Sequence, residues 1–195
     1  MLLIAGLGNV GQKYTKTRHN VGFMALDLFA LKHGFPIDKT GFKSTYCIQR
    51  LPEGKAAFIK PSTFMNLSGQ SVVPFANYYG ILPSSALIIH DDTDFELGEV
   101  KIRKSGSPGR HNGMSSIITD FRTQDVPRVR IGIGRPPKGM ALSDFVLSPF
   151  SPKELEALSS ALDLACEAIS LTILEGVDRA MNQVNTKKKD KDKDG

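Results

Sequence analysis

Five polar clusters carry the side chains that could do chemistry. They are Asn9, Thr17-Arg18-His19-Asn20, Phe64-Met65-Asn66-Leu67-Ser68-Gly69, His90-Asp91-Asp92 and Arg110-His111-Asn112-Gly113. A histidine set against an aspartate serves as a general base, with the carboxylate fixing its tautomer and orientation. Asparagine amides both donate and accept, so several together can hold a peptide backbone or a carbonyl oxygen. No Ser or Cys stands in a G-x-S-x-G pattern. Water activated by histidine is therefore favoured over a covalent enzyme. Taken singly, each of these residues is more often a helix cap or a core group than a catalyst.

Each cluster stands at the end of an expected element. Leu2 to Leu7 reads as a buried strand, and Asn20 to His33 as a helix apolar nearly all round and so mostly buried. Ser44 to Arg50 and Ala56 to Lys60 read as strands around a Pro52-Glu53-Gly54 turn. Ser71 to Tyr79 reads as a helix capped by Ser71, with Pro74 in its first turn. Ala86 to His90, Val100 to Arg103 and Val129 to Ile133 read as strands, and Gly113 to Phe121 as a helix. Ser151-Pro152-Lys153-Glu154 is a capping box opening a last helix, whose apolar stripe runs from Leu155 to Val177. The alternation predicts an α/β fold around a twisted sheet, with polar groups gathered beyond strand ends as ligand sites commonly are.

The 195 residues fit one domain, expected over residues 1–185, followed by a charged, disordered tail over 186–195. The net charge is +5 and the pI about 9.2. Five Lys and three Asp in residues 187–195 supply two of those charges. The rest is mildly basic, which is compatible with nucleic acid and no more. No apolar run approaches the roughly 18 residues of a membrane span, and the N-terminus lacks the basic start of a signal peptide, so a cytosolic protein is expected. Cys47 and Cys166 stand apart in apolar surroundings and read as small buried hydrophobes, not as a disulfide or zinc site. Gly6-Leu7-Gly8-Asn9-Val10-Gly11 matches G-x-G-x-x-G. The pyrophosphate chemistry of that motif needs a helix starting at the third glycine. Polar residues from Gln12 to Arg18 intervene, so the motif reads as a tight turn presenting Asn9.

Gly6-Leu7-Gly8-Asn9, Thr17-Arg18-His19-Asn20-Val21-Gly22, Phe64 to Gly69, His90-Asp91-Asp92 and His111-Asn112-Gly113 resemble the successive motifs of bacterial-type peptidyl-tRNA hydrolases, in their order and at about their spacing. Arg130-Ile131-Gly132-Ile133-Gly134 resembles a further segment. The resemblance covers residues 2 to about 150 with clear motifs. It implies a single α/β domain with a twisted mixed sheet flanked by helices, acting on N-blocked aminoacyl-tRNA without metal or cofactor. By position it makes His19 the base that activates water and Asp91 its partner. Asn9 would separate blocked from unblocked substrates. Asn66 and Asn112 would hold substrate near the ester, with Tyr14 and Phe64 lining the cleft. Arg103 and Arg130 fall where the family places basic residues for the tRNA 5′ phosphate. The partner is then tRNA, with no membrane and a monomeric protein expected.

Val10 stands where the family usually has Pro, and Arg110 where Gly is usual; a positive φ at the second position would strain Arg. Three rival readings remain open at this point. One is a non-catalytic RNA-binding homologue on the same fold. Another is a metal-dependent hydrolase built on His90, Asp91, Asp92, Asp94 and Glu96, although consecutive strand residues face opposite ways. The third is a nucleotide-dependent oxidoreductase.

Overall fold

The expected alternation of strands and helices is present in the computed structural model, whose described residues run from 1 to 191. Among these, seven strands form one sheet: β1 (Leu2–Gly6), β2 (Lys39–Gly41), β3 (Ser44–Leu51), β4 (Gly54–Pro61), β5 (Ala86–Asp92), β6 (Val100–Arg103) and β7 (Arg128–Gly132). Their order is β2-β3-β4-β1-β5-β7-β6. The central strands β4, β1, β5 and β7 run parallel, and antiparallel pairs close both edges, so the sheet is mixed. Parallel strands covered on both faces need continuous apolar runs. The LLIA of β1, AAFI of β4 and ALII of β5 supply them.

Helices α1 (Val21–Lys32), α5 (Leu155–Glu175) and α6 (Val177–Lys191) cover one face, while α2 (Gly69–Tyr78) and α3 (Asn112–Phe121) cover the other. Strand alternation sorts the core between them. Ile4, Phe58, Leu87 and Ile89 face the first layer; Leu3, Ala5, Ile59 and Ile88 face the second. Large side chains such as Phe29, Phe58 and Phe75 are fully buried, and each such burial stabilises the fold by about 1.5–3 kcal/mol. Cys47 and Cys166 are buried in the first layer, where desolvation pushes both thiols up to about 11.

Several expectations shift in detail. The second helix opens at Gly69, so Ser71 is not its cap and Pro74 lies inside it. Pro74 sits on the exposed face, where water can satisfy the carbonyl it leaves unbonded. Helix α1 buries one side only: Val21, Ala25, Leu26 and Phe29 point inward, and Leu31 is 77% exposed. The capping box of Ser151 and Glu154 is present with Pro152 in its first turn. The stripe beyond it stops before Val177, because Gly176 turns the chain at φ 85°.

Helix α6 extends past the expected tail boundary at residue 186, to Lys191; residues 192–195 lie outside the described residues. Lysine is a good helix former, and the helix is pinned by buried Ala180 and Val184. Asn185 donates its amide to the Ile102 carbonyl at 3.0 Å and accepts from the Ile102 N–H at 2.9 Å, capping the open edge of β6. Residues 152–175 are long and apolar enough to cross a membrane by length and composition, contrary to expectation. In this fold Leu158, Ala161, Ala165 and Ile169 of that segment pack into the core instead.

Two glycines bring α1 hard against the sheet. A Cβ on Gly22 would lie 2.4 Å from the Ile89 carbonyl oxygen, and one on Gly6 would lie 2.4 Å from the Gly22 oxygen. This approach places the 3-10 turn Arg18–Asn20, and His19 with it, beside the end of β5.

Candidate active site

Asp91 lies near the carboxyl end of β5, where the two helical layers meet. Its Oδ1 accepts two hydrogen bonds, from His19 Nδ1 at 2.7 Å and His111 Nε2 at 2.9 Å. His19 comes from the turn before α1, on one face of the sheet; His111 caps α3, on the other. Burial alone would push the Asp91 carboxyl up. The two imidazoles facing it outweigh that and hold it well below the usual carboxylate range. Asp91 is thus a fixed anion between two rings.

The chain has four histidines, and hydrogen bonding distinguishes them. His111 donates through Nε2 and accepts the Met114 N–H at Nδ1, so both nitrogens are engaged. His90 donates Nδ1–H to the Asp91 carbonyl at 2.7 Å, and its Nε2 is buried without a partner. Burial, then His111 nearby, lower the His90 pKa well below the usual value, so this ring stays neutral. His33 stacks on Phe29 and bonds its carbonyl, at the far end of α1. His19 remains. Its Nδ1–H is held by Asp91, and its Nε2 is left to take a proton in the cavity that His19 lines.

Of the asparagines, Asn112 lines the cavity that His19 lines, while Asn9 and Asn20 line a separate one. Asn20 clamps the backbone of Asn9, accepting its N–H at 2.9 Å and donating to its carbonyl at 3.0 Å. The Asn9 side chain accepts the Met65 N–H at Oδ1 (3.1 Å), which orients the amide and leaves Nδ2 to donate. Asn66 is exposed on the 3-10 turn Met65–Leu67, and Asn112 on the first turn of α3. These turns touch, since a Cβ on Gly113 would meet Met65 Sδ at 2.6 Å. Asn112 lines the His19 cavity.

That cavity, about 540 Å³, continues onto a cationic wall. Lys101 pairs across the β6–β7 ladder with Arg130, and Arg103 with Arg128, all four on one face. Like charges directly opposed are destabilising. Arg128 is 3% exposed and satisfied only by carbonyls, those of Val126, Gly106, Ser107 and Gln124. Burial first, then Arg130 and Arg103, lower its pKa to about 10. Arg130 stacks on Phe95 and is held by Asp92. Among the described residues no carboxylate forms an ion pair with Arg103, Arg110 or Arg128. An unbalanced cationic face of this kind suits a polyanion.

The sequence matches the model of the peptidyl-tRNA hydrolase family over residues 3–192. This chain belongs to the peptidyl-tRNA hydrolase family. It is 46% identical over 186 residues to the peptidyl-tRNA hydrolase of Symbiobacterium thermophilum, covering 94% of this chain and 98% of that one. It is 42% identical over 186 residues to that of Staphylococcus aureus, covering 95% and 98%. The fold is similar to the crystal structure of peptidyl-tRNA hydrolase from Acinetobacter baumannii, with a TM-score of 0.88 at 36% identity, covering 95% of this chain and 94% of that one.

Set against the other peptidyl-tRNA hydrolases, the two departures are mild. Arg110 is not among the non-glycine residues with positive φ, which are Phe42, Lys43 and Arg122; Gly109 takes the left-handed turn beside it, at φ 60°. Val10 is exposed, and Gly11 carries the positive φ there. Tyr14 and Phe64 are not among the residues that line the His19 cavity. Phe64 is 71% exposed, and Tyr14 packs beneath Lys13.

Of the acidic run weighed as a metal site, Asp92 holds Arg130 and caps the Asp94 N–H, while His90 is buried. His19, Asp91 and His111 are the group of ligand type among the described residues, with donor atoms within 4.8 Å of one another. Their 2.7 and 2.9 Å contacts are hydrogen bonds, shorter than the roughly 3.3 Å edge of a tetrahedron with 2.0–2.1 Å bonds. Holding a metal would require both ring protons to leave.

Sequence reasoning missed two parts of this site. His111 was noted in its motif but not as a partner of Asp91. Arg128 was not singled out at all, although its spacing of two from Arg130 on a strand is a readable sign that both face one way.

Proposed function

We propose that this protein hydrolyses the ester joining a peptide to the terminal ribose of tRNA, releasing free peptide and tRNA. His19 Nε2 takes a proton from water as that water attacks the ester carbonyl, and Asp91 holds the ring and stabilises the imidazolium that forms. The proton then passes to the departing ribose oxygen. General base catalysis of this kind contributes about 10²–10⁴-fold. Amide donors from Asn66 and Asn112 meet the developing oxyanion, each worth about 10²-fold or more. Asn9 Nδ2 faces the acyl part of the substrate and favours a blocked amine. Arg103 and Arg130 bind the 5′ phosphate of tRNA, and Tyr14 and Phe64 line the approach. We place the reaction in the cytoplasm, with a monomeric protein and neither metal nor cofactor taking part.

The observation that carries this reading is the 2.7 Å bond between His19 Nδ1 and Asp91 Oδ1, joining residues 72 apart in the chain. The test is purified protein with N-acetylated aminoacyl-tRNA, with and without EDTA, scored for deacylated tRNA. Turnover in both arms is expected. Loss of turnover on chelation would move the mechanism to a metal. Binding of tRNA without turnover would place the chain with RNA-binding homologues.

A further inference from the structure

The cationic wall holds like charges in register, and one uncharged side chain explains how they stay there. Lys101 and Arg130 face each other across the β6–β7 ladder, where like charges repel. Both lie over the ring of Phe95, the Arg130 guanidinium at 4.4 Å and the Lys101 ammonium at 5.5 Å from its centroid. An aromatic face attracts cations through its quadrupole. One ring therefore gathers two charges that would otherwise separate.

Phe95 is itself fixed. It is half-buried in the loop between β5 and β6. That loop is laced to the end of β7 and the residues after it by three backbone bonds. The Gly132 N–H donates to the Glu99 carbonyl at 2.8 Å, the Ile133 N–H to Asp92 at 3.0 Å and the Gly134 N–H to Phe95 at 3.0 Å. Gly132 makes room for the loop, since a Cβ there would lie 2.9 Å from the Phe95 Cβ. Asp92, at the start of the loop, engages both carboxylate oxygens. Its Oδ2 accepts from Arg130 Nε at 2.5 Å, and its Oδ1 accepts the Asp94 N–H at 2.9 Å. The Arg130 guanidinium is thus held on two sides, its face by Phe95 and its Nε edge by Asp92. Its Nη2 has the exposed Asp94 carboxylate at 3.9 Å, beyond hydrogen-bond reach. Arg130 lines the large cavity, and Phe95 does not.

We infer that Phe95 is a positioning residue for tRNA: its ring fixes the plane of the Arg130 guanidinium, so that Nη1 and Nη2 meet the 5′ phosphate together. This rests on the proposed role of Arg130 and deepens it. A guanidinium binds phosphate most strongly through two parallel N–H bonds, which requires the fork to lie in one plane with the anion. An arginine free in solvent loses rotamer freedom on binding. Arg130 has lost it beforehand, between a ring and a carboxylate. A leucine at position 95 would fill much of the same space, but without a quadrupole it would leave the guanidinium free to turn.

The experiment uses N-acetyl-aminoacyl-tRNA in two forms, one with its 5′ phosphate and one treated with phosphatase to leave a 5′ hydroxyl. The ratio of the two kcat/KM values reads the phosphate contact, and damage common to both substrates cancels from it. Phe95→Leu should shrink that ratio about fivefold, within the range that cation–π contacts reach. The change should lie in KM, with kcat unchanged. Phe95→Tyr keeps the ring and should hold the ratio within about twofold of the parent. In a protein already carrying Arg130→Gln, Phe95→Leu should change the ratio no further. An unchanged ratio with Phe95→Leu, a loss that Phe95→Tyr shares, or a loss that persists without Arg130 would overturn the positioning role and leave Arg130 as a phosphate ligand. A parent protein that treats the two substrates alike removes the Arg130 contact with the 5′ phosphate, and the role of Phe95 with it.

Discussion

The end of β5 and the edge formed by β6 and β7 solve opposite electrostatic problems. At the first, Asp91 accepts from both imidazoles through one oxygen, so its charge is hydrogen-bonded before any substrate arrives. At the second, Lys101 faces Arg130 and Arg103 faces Arg128, and buried Arg128 finds only carbonyl partners. The β5 cluster is organised for a reaction whose charge develops briefly at one atom. The arginine edge carries more cations than Asp92 and Asp94 offset, a face suited to a polyanion. Damage to the two should therefore appear in different measurements: the chemical rate for one, affinity and its salt dependence for the other.

The largest expected effect is on the chemical rate. His19→Ala should lower the single-turnover rate of ester cleavage by about 10²–10⁴-fold, with tRNA affinity unchanged within about twofold. A rate within tenfold of the parent would end the claim that this imidazole is the base. Next comes the edge. Arg103→Gln with Arg130→Gln should weaken tRNA binding by about ten- to hundredfold, the worth of charged hydrogen bonds. It should also flatten the slope of log K against log salt by about 0.7–0.9 for each phosphate contact removed. The cleavage rate at saturating substrate should hold. If the salt slope stayed as steep, these cations would not be touching phosphate, and the contrast between the two regions would collapse.

How far each region was legible in the sequence follows from the same physics. The central strands declared themselves because their burial on both faces demands unbroken apolar runs, and the capping box of Ser151 and Glu154 because its two bonds need those residue types. The pairing of His19 with Asp91 was legible through motif order. What stayed hidden depended on partners remote in sequence. His111 joins Asp91 only because α3 packs where it does. Arg128 is buried against carbonyls, which leave no mark on composition. The β2–β3 turn places Phe42 and Lys43 at positive φ without the Gly or Asn that signals such a turn. Phe42 is held there by packing against Phe75, Tyr78 and Tyr79.

A smaller effect should separate positioning from chemistry. Arg18 precedes His19 and ties its turn to the C-terminal half. It bonds Glu154 at 2.9 Å, the Ile133 carbonyl and Ser148, and lies between the rings of Phe145, in the short helix α4 (Leu142–Val146), and Phe150. Breaking a buried ion pair costs about 3–5 kcal/mol, and partial exposure of Glu154 brings the expected cost of Arg18→Met nearer 2 kcal/mol. For a chain of this size that is a fall in Tm of about 4–8 °C. The salt slope for tRNA should be unchanged, since this cation already has a carboxylate. A flattened slope would mean Arg18 belongs with the arginine edge after all.

The smallest effect reads the same pair through pH. The hydrogen bond from Arg18, helped by Ser151, brings the Glu154 carboxyl down to about 2 from its ordinary 4.5. A carboxylate whose folded pKa is depressed adds stability that is fully present above the unfolded value and is lost as pH falls toward the folded one. Glu154→Gln should therefore be less stable than the parent at pH 7, and the gap should close between about pH 4.5 and pH 2. Asp91, depressed in the same direction by its two imidazoles, gives an acid-labile contribution in both proteins and so does not affect the difference. Urea midpoints for parent and variant at pH 7, 5 and 3 measure it. Parallel midpoints over that range would show that Glu154 is not held anionic by Arg18. The turn carrying His19 would then owe its place to the glycine contacts of α1 and the stacking on Phe145 and Phe150, not to this ion pair.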